Sequence, residues 1–192
     1  MNDLILQLQQ TVFLLQKNIP SLLLLIAALW LLQLLNWLVG YRLNLLGIYP
    51  RSWHGFIGIA FSPFLHGDFN HLFFNSLPLF VLACFVLLQG WAVFFTVSLI
   101  IILLSGFAVW LLGRPALHVG ASSLIMGYWS YLMINAYHQP TLVTVMLGIV
   151  CFYYIGAALI LNLFPRQQTS WEGHIFGFAA GIAAAYLYPY FL

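Results

Sequence analysis

Apolar residues run along this chain in blocks of membrane-spanning length, and short polar or glycine–proline breaks separate the blocks. A helix crossing the ~30 Å hydrocarbon layer needs ~20 such residues. Residues 4–16 are apolar but short and rich in glutamine, which predicts an interfacial helix ended by Asn18-Ile19-Pro20. Ser21 to Val39 is the first full block. The blocks that follow run from His71 to Leu88, from Trp91 to Leu112, from Gly120 to just before His138, from Thr141 to Leu163, and from Gly173 to the end. Gln89-Gly90, Gly113-Arg114-Pro115, His138-Gln139-Pro140 and Phe164-Pro165-Arg166 punctuate them. The expected organisation is an interfacial segment at 1–20 and a six-helix membrane domain at 21–192. Residues 40–70 differ, because glycines and prolines break any long helix while the stretch stays aromatic. They predict a long interfacial loop, a setting that suits Trp53 and the tyrosines.

The fourth block is short. Ser122 to Tyr137 would make roughly 24 Å of helix at 1.5 Å per residue, so its N-terminal end is expected below the membrane surface. Irregular backbone at that depth survives only where protein buries it or a water-filled cavity wets it. The pattern therefore points to a polar pocket inside the protein.

Composition supports this reading. Of 192 residues, 64% are hydrophobic and 4% are charged, against about 25% charged in a soluble domain. The bilayer is the only solvent that suits such a surface. A net charge of +2 is too small and scattered to indicate a nucleic-acid partner. Cys84 and Cys151 lie inside apolar blocks and read as small buried hydrophobes. The N-terminus carries Asp3 and glutamines where a removable signal peptide would be basic.

Polar residues then locate the chemistry. Successive spans alternate in direction, so the N-terminal ends of the second, fourth and sixth lie on one side. Those ends carry His71 and Asn75, Ser122 and Ser123, and His174. A lone serine or asparagine in a membrane helix is usually a packing residue, and His54, His118 and His138 read as interfacial. His66 and His71 bracket Asp68 at the mouth of the second span. Polar groups are costly within a membrane, so their convergence at one level marks a functional site.

A serine hydroxyl becomes a nucleophile when a base within hydrogen-bond reach takes its proton, and histidine is the usual base near neutral pH. Ser122 and His174 supply the pair if their helices pack closely. Gly173, Gly177, Gly181 and Ala185, four residues apart, provide for that on the sixth helix, as Gly120 and Gly127 do on the fourth. Glu172 lies two residues before His174, on another face, and Asp68 lies in the loop, so a dyad is expected. The Ser122 N–H, at a helix N-terminus, and the His71 and Asn75 side chains, one turn apart, would hold an oxyanion.

At these residues the chain resembles the rhomboid family. Phe64-Leu65-His66-Gly67-Asp68-Phe69-Asn70-His71-Leu72-Phe73-Phe74-Asn75 is similar to the family's histidine-rich approach followed by H-x-x-x-N. Gly120-Ala121-Ser122-Ser123 is similar to its G-x-S-G motif, and Gly173-His174-Ile175-Phe176-Gly177 to its histidine motif. The trio occurs in the family's order across residues 20–192. The resemblance implies a six-helix bundle that cleaves transmembrane segments of other membrane proteins, with Ser122 as nucleophile, His174 as base, and no metal or cofactor. It also implies that the fifth helix and the loop before the sixth act as gate and cap. A multi-pass protein of the bacterial inner membrane with a cytoplasmic N-terminus is implied as well.

Three positions depart from the family pattern. Ser123 replaces the usual glycine, Met126 stands where an aromatic residue is common, and Ser52-Trp53-His54 after Arg51 is the nearest match to a Trp-Arg pair. The main alternative is an inactive rhomboid-like protein that binds transmembrane helices, yet such proteins typically lose the serine or histidine. No H-E-x-x-H supports a zinc protease, and no aspartate within a span supports an aspartyl one. A transporter would predict broken helices in paired halves and ion-coordinating acids, which the spans lack. One feature opposes the implied orientation. Arg42, Arg51, Arg114 and Arg166 fall on the active-site side against Lys17 on the other, and the positive-inside rule would invert the protein.

Overall fold

The computed structural model describes residues 2–138, 140–156 and 171–191. Its elements are helical: α1 (Asn2–Leu38), a 3₁₀ turn (Arg42–Leu46), α2 (Trp53–Phe61), a 3₁₀ turn (Ser62–Phe64), α3 (Phe69–Leu87), α4 (Trp91–Leu112), α5 (Ser122–His138), α6 (Leu142–Val150), which widens into a π-helical stretch (Cys151–Gly156), and α7 (Trp171–Leu187). Among the described residues three helices are long and apolar enough to cross a membrane: Ile5–Leu38, Phe69–Leu87 and Trp91–Leu112. The sequence boundaries of α4 and the start of α5 coincide with the structure. The expected fifth block runs past Gly156, and its later part and the loop before α7 lie outside the described residues.

α5 is the centre of the bundle. Every residue from Ile125 to Leu132 is buried, so this helix turns no face outward. Leu79, Leu82 and Val86 of α3, Phe94, Val97 and Ile101 of α4, and Ala180 and Ala184 of α7 join it in one core. Met126 is buried in that core. The surrounding helices turn large apolar side chains outward, among them Leu24 and Leu31 of α1, Phe73, Phe74 and Leu77 of α3, and Phe95 and Leu99 of α4. That surface suits lipid tails, and the protein is an integral membrane protein.

Two features differ from the sequence reading. α1 is one continuous helix that contains Pro20, where a break was expected. The proline withholds one N–H, a penalty of about 3 kcal/mol in a helix interior, and the long apolar runs on both sides outweigh it. The 40–70 segment is more ordered than a loop, because it holds α2 and both 3₁₀ turns. α2 starts at Ser52, whose hydroxyl accepts from the Gly55 N–H at 3.1 Å. Arg51 precedes it with φ 56° and donates from its guanidinium to the carbonyls of Leu111 and Gly113 at 3.1 and 2.9 Å. This cation therefore closes the C-terminal end of α4.

Candidate active site

The turn before α5 is held from several sides. Gly120 has φ +123°, a backbone region that residues with a Cβ avoid. A Cβ there would also lie 2.7 and 2.8 Å from Cε1 and Nε2 of His71, and 3.7 Å from Nδ2 of Asn75. Only glycine lets the His71 ring approach this turn so closely, while Asn75 stands at ordinary contact distance. The Gly120 N–H donates to the Ser62 carbonyl at 2.9 Å. The next N–H, of Ala121, donates to Nε2 of His66 at 3.4 Å. Irregular backbone at the head of α5 is thus packed and bonded by protein, as the short helix required. Ser122 and Ser123 follow, both partly buried.

His66 is fully buried. Burial pushes its imidazole down to about 3, helped by the neighbouring His71 and opposed by a bond to the Phe64 backbone and by Asp68. A neutral ring leaves Nε2 free to accept from Ala121. A chain of amides supports the same loop: Asn36 of α1 donates to Asn44 at 2.9 Å, and Asn44 donates to the His66 carbonyl at 3.2 Å. Asp68 caps α3 by accepting from the His71 N–H at 2.7 Å. The His66 and His71 rings meet edge to face at 5.1 Å.

The third contributor arrives on α7. A Cβ on Gly177 would lie 2.8 Å from both the carbonyl carbon and Cα of Ser123. One turn further, a Cβ on Gly181 would lie 2.6 Å from the carbonyl carbon of Gly127. The backbones of α5 and α7 therefore run in close contact beside the serines. His174 shares the Gly177 face by its i, i+3 spacing; it is buried and near enough to His71 for their charges to interact. A cavity of about 20 Å³, which has Ser62, His118, Ser122, Ser123 and Gly173 in its wall, has room for about one water.

The structure thus brings Ser122, Ser123, His71, Asn75 and His174 together at the heads of α3, α5 and α7. Gly177 and Gly181 relieve the α5–α7 contact as expected. Gly120 acts elsewhere by admitting His71, whereas Gly127 meets Gly181 through its carbonyl and turns its bare face to Ile101 of α4. Small-residue spacing announces a close contact without naming the partner. His118 also differs from its interfacial reading. It is buried, exchanges backbone bonds with Ile48 at 3.0 and 2.8 Å, and places Nε2 3.1 Å from the Arg114 carbonyl. Burial holds its imidazole below the ordinary value, offset in part by that bond and by Glu172. Asn36 and Asn44 were missed, although an asparagine inside an apolar helix is itself a signal.

Asn75 completes the geometry. It is 9% exposed, and its Nδ2 has no hydrogen-bond partner among the described residues. An unmet buried donor is rare and costs about 1–3 kcal/mol. This one stands beside His71 at the Gly120 turn, where a ligand oxygen would satisfy it.

A helical membrane bundle that gathers serine, histidine and amide donors at one level defines a class, and the sequence comparison identifies it. The Rhomboid domain model matches residues 51–191, so the chain belongs to the rhomboid family, a family of intramembrane proteases. It is similar to an uncharacterised protein of Mycobacterium bovis, 34% identical over 171 residues that span 84% of this chain and 71% of the relative. An uncharacterised Mycobacterium tuberculosis protein matches with the same figures. One from Mycobacterium leprae is 32% identical over 169 residues, 84% of this chain and 67% of its own length.

Proposed function

We propose that this chain is an intramembrane serine endopeptidase that cleaves transmembrane segments of membrane-protein substrates with a Ser122–His174 dyad. The observation that carries the reading is the unmet Asn75 donor, buried beside His71 at the turn that leads into Ser122. In this mechanism His174 takes the Ser122 proton as Oγ attacks the scissile carbonyl. The resulting oxyanion accepts from the Ser122 N–H, His71 and Asn75. His174 then protonates the leaving amine, and water, activated by the same imidazole, releases the acyl group.

The six-span arrangement belongs to the same proposal, with α5, α6 and α7 as the later spans and α6 beside the substrate route. So does a bacterial inner-membrane location with the N-terminus in the cytoplasm; the relatives named above are bacterial and the orientation rests on the family resemblance. Two of the four opposing arginines are weaker objections than their number implies. Arg51 is spent on α4 carbonyls, and Arg114 is paired with Glu172.

The direct test is covalent labelling of the purified protein with a serine-reactive fluorophosphonate, alongside cleavage of a model transmembrane substrate. Wild type and Ser123→Ala should label and cut, whereas Ser122→Ala should do neither. Full activity in Ser122→Ala would remove the nucleophile. An inert wild type that still binds transmembrane peptides would favour the helix-binding alternative.

A further inference from the structure

Glu172 opens α7 two residues before His174, and its side chain is 6% exposed. Its Oε1 lies 3.3 Å from Nε of Arg114 and 3.4 Å from the Arg114 backbone N–H. Among the described residues its Oε2 is buried without a hydrogen-bond partner. Arg114 directly follows Gly113, where α4 ends, and its carbonyl faces Nε2 of His118 at 3.1 Å. His118 is bridged to Ile48 in both directions, and the next four residues lead to Ser122. A continuous series of contacts therefore runs from the first turn of α7 to the head of α5.

A buried carboxylate with one oxygen unmet is an expensive way to hold a helix that glycine packing already seats. The Arg114 side chain is 38% exposed, and an ion pair with one exposed partner adds little to stability, so its use points to specificity of position. The i, i+2 spacing that keeps Glu172 from touching His174 also gives the two side chains separate tasks. One side of the turn grips the α4–α5 loop while the other meets α5.

We propose that the Arg114–Glu172 pair is a positioning clamp that fixes the first turn of α7 against the α4–α5 loop, and with it the reach from His174 to Ser122. The effect on rate rests on the protease reading, whereas the effect on the His174 environment does not. The clamp acts on catalysis only through His174. Losing it shifts the base without altering the surface that receives the substrate helix.

The test uses the full chain in proteoliposomes, with a fluorogenic transmembrane peptide and with ¹⁵N imidazole resonances assigned through His174→Gln. Glu172→Gln should lower kcat by about 10–100-fold, as expected for a base displaced by up to about an ångström, with KM unchanged and the His174 resonance moved. The reversed pair, Arg114→Glu with Glu172→Arg, should recover part of that loss. Arg114→Lys keeps the charge without the Nε contact; it should fall between wild type and Glu172→Gln, and it serves if Glu172→Gln does not fold. Wild-type kcat with an unmoved His174 resonance in Glu172→Gln would overturn the proposal, as would a change confined to KM. Failure of the wild type to label at Ser122 would count against the protease reading alone. The clamp would then stand or fall on whether the His174 resonance moves.

Discussion

Gly177→Ala is the most incisive perturbation of the α5–α7 contact, because it adds one methyl group one turn from His174. The new Cβ would lie 2.8 Å from the Ser123 carbonyl carbon and Cα, while carbon pairs settle near ~3.5–4.0 Å. Backbone atoms cannot rotate away, so α7 must retreat by about 1 Å. Overpacking of this kind typically destabilises by about 1–3 kcal/mol. The larger consequence is kinetic, since misplacement of a catalytic group by an ångström lowers rate by about 10²-fold. Cleavage of a fluorogenic transmembrane peptide should therefore lose about two orders of magnitude in kcat, while thermal unfolding in detergent still shows a folded protein. Fluorophosphonate labelling should slow in parallel, because it needs the same activated hydroxyl. A folded Gly177→Ala variant with wild-type kcat and labelling rate would refute the argument that this close approach sets the dyad.

Other consequences are open to measurement. Asn75→Ala should lower turnover by about 10²–10³-fold if its amide is an oxyanion donor, read as kcat with the same peptide; an unchanged rate would remove Asn75 from the site. His66 is held neutral down to about 3, whereas an unfolded histidine takes up its proton near ~6.5. Between those values the unfolded chain binds the extra proton, so this contribution to stability is complete above pH ~6.5 and declines as pH falls, by at most ~1.4 kcal/mol per pH unit. His66→Gln keeps an acceptor for Ala121 without titrating, and it should flatten that part of the profile in detergent unfolding curves. A reporter fused after Leu192 should read cytoplasmic; an external signal would favour the arginine distribution instead.

The sequence made the site more legible than the path of the backbone around it. α4 was readable because Gly90 and Gly113 bracket an unbroken apolar block. Ser122 was readable as a helix start because Gly120 precedes it and the block is short. Pro20 misled, since proline is strongly disfavoured in helices but a single missing N–H does not end a helix with long apolar runs on both sides. His118 misled for a different reason. Its burial depends on Ile48 and Arg114, and no local pattern foretells pairing with a residue some seventy positions earlier. Glu172 was dismissed as a partner of His174 on sound helical geometry, but its actual partner comes from the α4–α5 loop. Periodicity shows which face a residue occupies, and tertiary packing decides what meets that face.

The distance along the chain between α5 and α7 has a consequence for biosynthesis. Ribosomes deliver the N-terminal part first, at about 5–20 residues per second, so the Gly120 turn and Ser122 exist before His174 does. Contacts between distant segments also form late in folding, and the Gly177–Ser123 approach is of this kind. On the protease reading proposed above, the nascent chain therefore holds Ser122 before His174, the base proposed for it, has been made. On that reading the order of assembly works as a delay, because Ser122 and His174 meet only after α7 has packed against α5.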